Sequence, residues 1–168
     1  MRQSPFLVNA AALGLSPGVR RHVNRRGVLD GPAVSGSSVP SGGEAEVDVT
    51  LEGVPGGAVA RGEVVAPWEG ACRRCLATVS GELRCEVLEV FERSPDPEQT
   101  YPLVGDQLDL EPLARDAVLL ELPLAPLCSE GCLGLCPSCG ADLNEGLCGC
   151  QAEVGDPRWA ALDALGQD

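Results

Sequence analysis

Hydrophobic and polar residues alternate strictly over residues 44–51. Val47, Val49 and Leu51 point one way, Glu46, Asp48 and Thr50 the other, which is the period-two signature of a half-buried strand. The Gly-rich turn Val54-Pro55-Gly56-Gly57 leads into a second apolar run over residues 58–66, and the pair reads as a β-hairpin. Two further strands are expected over residues 76–80 and 82–91, joined at Gly81, with Leu83, Cys85 and Val87 sharing a face. After the loop Ser94-Pro95-Asp96-Pro97, residues 101–104 can add one more strand. The period then changes. Over residues 109–122, Leu110, Leu113, Ala114, Ala117 and Val118 recur at helical spacing, Asp109 stands as N-cap, and Glu111 suits the positive end of the dipole. Pro112 falls in the first turn, where its missing N–H costs nothing, and Pro123 stops the helix. A short last helix is expected from Asp156 and Pro157, with Trp159, Leu162 and Leu165 along one side. Both helical stripes read as core faces.

The rest of the chain is less patterned. Residues 5–30 suggest a short extended piece, a turn capped by Asn9 and ended near Gly14, then an arm through Ser16-Pro17-Gly18. Residues 31–43, rich in Gly, Ser and Pro, read as a flexible loop. The organisation expected is a basic arm and loop over 1–43, a sheet-and-helix core over 44–127, and a cysteine-rich segment over 128–168, all within one domain. The fold class is α+β: an antiparallel β-sheet or partly open barrel with one main helix, plus a C-terminal Cys-rich zinc knuckle and a short terminal helix. A length of 168 residues fits one domain, and with only 3% aromatic residues the core must come from Val, Leu and Ala. No run reaches the ~18 apolar residues that span a bilayer, which excludes a helical membrane protein.

Charge narrows the partners. All 12 cations are arginine, and against 25 acids they leave a net charge of −13, which excludes a protein that coats a polyanion with its whole surface. The distribution is uneven, however. Arg2, Arg20, Arg21, Arg25 and Arg26 precede the first acid, so the expectation is a solvated basic arm on an acidic body.

Nine cysteines in such a chain are used either as a secreted disulfide scaffold or as metal ligands in a reducing compartment. The weak apolar run over residues 6–15 is broken by Asn9 and Gly14 and followed, not preceded, by arginines. It does not read as an export signal, so a cytoplasmic protein with free thiolates is expected. Eight cysteines form close pairs: Cys72/Cys75, Cys128/Cys132, Cys136/Cys139 and Cys148/Cys150. A tight turn between paired cysteines sets two sulfurs near the separation that Zn–S bonds of about 2.3 Å require. Cys136, Cys139, Cys148 and Cys150 are assigned to one zinc, with Gly140 freeing the turn after the second cysteine. Cys72, Cys75, Cys128 and Cys132 remain for a second, which would staple a strand turn to the segment after the main helix. A rival partition puts Cys128 or Cys132 with Cys136 and Cys139. The ninth, Cys85, lies on a strand and reads as a small buried hydrophobe.

All-sulfur sites point to structural zinc, since a catalytic ion keeps a water position and usually draws on histidine, and His22 lies outside every cluster. A redox reading of Cys72-Arg73-Arg74-Cys75 draws on two arginines that favour thiolate, but a thioredoxin-type pair opens a helix and residues 76–80 read as strand. No nucleophile–His–acid set and no phosphate-cradling Gly loop is present, so no enzyme and no small-molecule substrate is expected.

Several stretches resemble the YceD family, known as large ribosomal RNA subunit accumulation proteins. They are Ser16-Pro17-Gly18, Trp68 with Cys72-Arg73-Arg74-Cys75-Leu76, the run over residues 109–113, and the run over residues 122–128. Gly134-Leu135-Cys136-Pro137-Ser138-Cys139-Gly140-Ala141-Asp142-Leu143-Asn144 and Asp156-Pro157-Arg158-Trp159 complete the set. The resemblance implies a bacterial or plastid-type cytoplasmic factor needed for accumulation of large-subunit ribosomal RNA. Its implied partner is a large-subunit precursor, met through rRNA or through a basic ribosomal protein. An RNA contact would fall to a strip of Arg20, Arg21, Arg25 and Arg26 with Arg73 and Arg74, whereas the acidic body suits a basic protein. A thiol redox or zinc-release sensor is the alternative.

Overall fold

The alternation at residues 44–51 extends into a long antiparallel hairpin in the computed structural model, which describes residues 4–150. In chain order the elements are β1 (Leu7–Asn9), β2 (Arg20–Val28), β3 (Ser37–Ser38), β4 (Glu44–Val54), β5 (Gly57–Ala71), β6 (Thr78–Glu92), β7 (Tyr101–Val104), β8 (Gln107–Asp109) and α1 (Glu111–Glu121). They form one sheet in the order β1-β8-β7-β6-β5-β4-β2, with β3 paired to the far end of β5. Every pairing is antiparallel except the short parallel contact of β6 with β7 at Phe91↔Tyr101 and Glu92↔Pro102. The sheet curls into a half-barrel. Gly27 of β2 lies so close to Pro5 and Phe6, just ahead of β1, that a Cβ there would collide with them.

The core fills the inside of this curl. Phe6, Phe91, Leu108 and Leu110 are fully buried with Val47, Val49, Leu51 and Val64 from β4 and β5. Helix α1 closes it with Leu113, Ala114 and Val118. The helix starts a residue later than the pattern suggests: Leu110 occupies the N-cap position, and Asp109 just ahead of it accepts the Glu111 N–H on Oδ1 at 3.0 Å. Cys85 belongs to this core at 2% exposure, and burial first, then Glu121, pushes its thiol up to about 11. Among the described residues no helix is long and apolar enough to cross a membrane.

Four local expectations are corrected. Residues 20–28 are a sheet strand and not a solvated arm: β2 pairs with β4 along its whole length, from Arg20↔Glu52 to Val28↔Glu44. The stretch over 31–43 is not a free loop either. Ser37 is buried with its Oγ donating to the Pro123 carbonyl at 2.8 Å, and Gly36 passes against the Leu124 carbonyl. Small residues there permit close backbone approach. Gly81 interrupts nothing, because β6 runs straight through it and the Trp68 indole lies across the space a Cβ would take. Leu76 is outside the strand, at φ +63°, for a reason that belongs to the first cysteine cluster. The last helix, with Trp159, Leu162 and Leu165, lies outside the described residues.

Candidate metal centres

The turn between β5 and β6 begins at Cys72. Its N–H donates to the Ala77 carbonyl at 2.8 Å, and the Leu76 N–H donates back to the Cys72 carbonyl at 2.9 Å. Closing so tight a turn requires a left-handed residue after the second cysteine, and Leu76 takes that conformation. The same geometry recurs further on. The Cys136 N–H donates to the Ala141 carbonyl at 2.8 Å, the Gly140 N–H donates to the Cys136 carbonyl at 2.8 Å, and Gly140 has φ +74°. One knuckle is therefore built twice, once with the glycine that fits it and once with a leucine held there against a cost of about 1–2 kcal/mol.

The eight paired cysteines form two groups, Cys72/Cys75/Cys128/Cys132 and Cys136/Cys139/Cys148/Cys150, and within each the sulfurs lie within 4.8 Å of one another. The partition that mixes Cys128 or Cys132 with Cys136 and Cys139 is not the one adopted. A tetrahedral ion with 2.3 Å bonds to sulfur needs S···S edges of about 3.8 Å. Cys72 and Cys132 are 3.8 Å apart and Cys75 and Cys128 3.6 Å, so the donor set fits. Both groups could hold a metal ion.

Their surroundings differ. In the inner centre Cys72 and Cys132 are buried and Cys75 is 8% exposed, with Val79, Leu127 and Leu135 packed around them, while Cys128 faces solvent. Its two halves come from distant parts of the chain: Arg73 N–H donates to the Pro126 carbonyl at 2.9 Å, and Arg74 Nη1 donates to the carbonyls of Glu130 and Cys132 at 3.1 and 2.9 Å. The outer centre closes on itself, with Cys136 buried but Cys139 and Cys150 exposed.

Protonation follows the same plan in both. The N–H groups of Cys75, Cys128 and Arg74 bring the Cys72 thiol down to about 6, against the cost of burial. The Ala77 N–H works the same way on Cys75, but burial and the neighbouring Cys72 sulfur outweigh it and push that thiol up to about 12. In the outer centre the Cys139 N–H, the Cys148 thiol and the Ser138 N–H bring Cys136 down to about 6. Cys139, then Cys148 and Cys136, push Cys150 up to about 12. Sulfurs this close cannot all ionise together, because each new charge repels the last. A divalent cation held there would supply the missing compensation and let all four thiols lose their protons.

The arginines expected at an RNA contact are placed less uniformly. On β2 they alternate across the sheet: Arg20 and Arg26 share the face of His22 and Asn24, while Arg21 and Arg25 share that of Val23. Arg20 pairs with Glu52 at 2.9 Å and Arg26 with Glu46 at 2.7 Å. Arg21 Nε donates to the Leu13 carbonyl and Arg25 Nη1 to the Asn24 carbonyl. Arg73 is exposed, whereas Arg74 is taken up holding the 128–132 loop. The sequence reading missed one site residue. Asn144 places its Nδ2 3.5 Å from Cys132 Sγ and its Oδ1 2.8 Å from the Leu133 N–H. Its position just after Cys136-Pro137-Ser138-Cys139-Gly140 was the available signal.

A curled antiparallel sheet carrying two knuckle-built, four-cysteine groups defines a cysteine-clamped β protein. The chain belongs to the YceD family: the family model described as large ribosomal RNA subunit accumulation protein YceD matches residues 60–166, which include both groups. An uncharacterized protein of Mycobacterium tuberculosis is 34% identical over 169 residues, covering 95% of this chain and 80% of the relative. A second, from Mycobacterium leprae, is 33% identical over 76% of this chain and 62% of its own length. A chloroplastic protein of Arabidopsis thaliana named large ribosomal RNA subunit accumulation protein YCED homolog 1 is 34% identical over 65 residues, 39% of this chain and 20% of the relative. No solved structure matches.

Proposed function

We propose that this protein is a non-enzymatic, cytoplasmic ribosome-biogenesis factor that supports accumulation of large-subunit rRNA and is held together by two structural zinc ions. The observation that carries the structural role is the closed all-sulfur donor set of each group. Four thiolates fill a tetrahedral zinc and leave no position for a water to activate. Cys72, Cys75, Cys128 and Cys132 would hold one ion and Cys136, Cys139, Cys148 and Cys150 the other. The ribosomal role rests on membership of the family and on its description.

The partner is a large-subunit precursor, reached through a basic ribosomal protein more than through rRNA. Two of the four β2 arginines are already paired with acids, and the net charge is −13. A depletion strain should show fewer large subunits on a sucrose gradient, and a normal profile would remove the assembly reading. Capture from lysate with and without nuclease separates the partners: a complex that survives nuclease is with protein. The exposed sulfurs of Cys139 and Cys150 favour one second reading, a thiol or zinc-release sensor at the outer centre. Mild peroxide should then eject zinc and join cysteines reversibly; thiols that stay inert end that reading.

A further inference from the structure

One side chain joins the two centres. Asn144 lies in sequence among the outer ligands, between Cys139 and Cys148, yet its amide faces the inner centre. Its Oδ1 accepts the Leu133 N–H at 2.8 Å, and its Nδ2 donates to Cys132 Sγ at 3.5 Å and to Asp142 Oδ1 at 2.6 Å. The Leu133 N–H can only donate, so the amide oxygen must face it, and the NH2 is thereby turned towards sulfur and carboxylate. Asn144 in turn is held by the outer knuckle: its own N–H donates to Asp142 Oδ1 at 2.9 Å, the Leu143 N–H donates to the Gly134 carbonyl at 2.9 Å, and Leu135 bridges to Asp142. The Leu135 N–H then reaches back to the Arg74 carbonyl in the inner knuckle at 3.2 Å.

We propose that Asn144 is a positioning residue that couples metal binding at the two centres. Filling the outer centre fixes the segment over 142–144 and presents an N–H to the Cys132 sulfur, which orients that sulfur towards the inner ion. By linkage, filling the inner centre tightens the outer one by the same factor. Donors that orient a metal ligand are worth roughly 10–100-fold in affinity, enough to make the two ions bind and leave together. This inference rests on the reading of both groups as metal centres.

The test uses the full chain loaded with zinc, titrated with a chelator and followed by native mass spectrometry. In the unaltered protein the two ions should leave together, with little single-ion species. Asn144→Asp keeps an oxygen for the Leu133 N–H but replaces the N–H donor to sulfur with a second oxygen. Single-ion species should then accumulate, and affinity at the inner centre should fall roughly 10–100-fold. With cadmium as probe, the NMR resonance of the inner ion should move while that of the outer ion stays, a signature that a change in folding alone would not give. Cys150→Ser, which empties the outer centre from its other end, should weaken the inner one comparably. Independent loss of two ions from the unaltered chain, or an inner centre unaffected in both variants, overturns the coupling alone. A native protein that holds no metal overturns the metal-centre reading and the coupling with it.

Discussion

The two centres are the same knuckle in opposite circumstances. The inner one joins the β5–β6 turn to a segment 60 residues away, between Cys72 and Cys132, and is packed by Val79, Leu127 and Leu135. The outer one closes within residues 136–150 and leaves Cys139 and Cys150 in water. Loop length accounts for little of the difference in what they stabilise: a span about four times longer changes closure entropy by about 1 kcal/mol. The larger difference is what each clip holds. The inner centre fastens the chain leaving α1 to the strand pair that forms the middle of the sheet, whereas the outer one fastens only itself and, through Asn144, its neighbour.

Breaking the inner clip should therefore have the largest effect. Cys72→Ser is expected to cost about 4 kcal/mol or more, lowering the unfolding midpoint by about 10 °C in a chain of this size. Cys136→Ser should release the outer ion and, through the lost coupling, loosen the inner one, yet leave the sheet's circular dichroism nearly intact, with a smaller loss of about 2 kcal/mol. Equal thermal shifts from the two substitutions would mean that the centres do not divide the work in this way. The turn residues sharpen the comparison further. Gly140→Ala should destabilise by about 1–2 kcal/mol, because a Cβ at φ +74° is strained. Leu76→Gly at φ +63° should stabilise, though by less than about 1 kcal/mol, since glycine also gives the unfolded chain more freedom.

The smallest effect is expected on β2. Arg20→Ala and Arg26→Ala remove solvated ion pairs at the surface, so the unfolding midpoint should barely move. Two acids of β4 set a pH dependence. Asn24, then Arg26, hold the Glu46 carboxyl below its ordinary value, and Asn24, then His22, do so for Asp48. A carboxyl lowered in the folded state contributes above its unfolded pKa, and the contribution disappears as acid protonates it. The β2–β4 contact should thus weaken only below about pH 4, and amide exchange along β2 at descending pH would reveal it. Protection that fell first near neutrality would place the titrating groups elsewhere.

Much of this architecture is legible in the chain because burial leaves a period. The β4 alternation and the α1 stripe face a core, and cysteine pairs at two- to four-residue spacing announce their turns. β2 left no such trace. Only Val23 is buried on a strand of nine residues, so an edge strand lined with arginine, histidine and asparagine looks like a solvated arm. Those arginines suit an edge, where charge discourages pairing with another chain. Residues 31–43 misled for the opposite reason: Gly36 and Ser37 are small to let backbones touch, not to let the loop move. Asn144 stands close behind a cysteine knuckle, but its target, a sulfur from the other group, is adjacent only after folding.

The register of β1 has a consequence for how the protein is made. Leu7 lies opposite Asp109, so β1 finds its neighbour only after about a hundred further residues have been added. At 5–20 residues per second the ribosome takes roughly 5–20 s over that stretch. For that interval Phe6 and Val8 belong to a nascent polypeptide whose closing seam has not yet been synthesised.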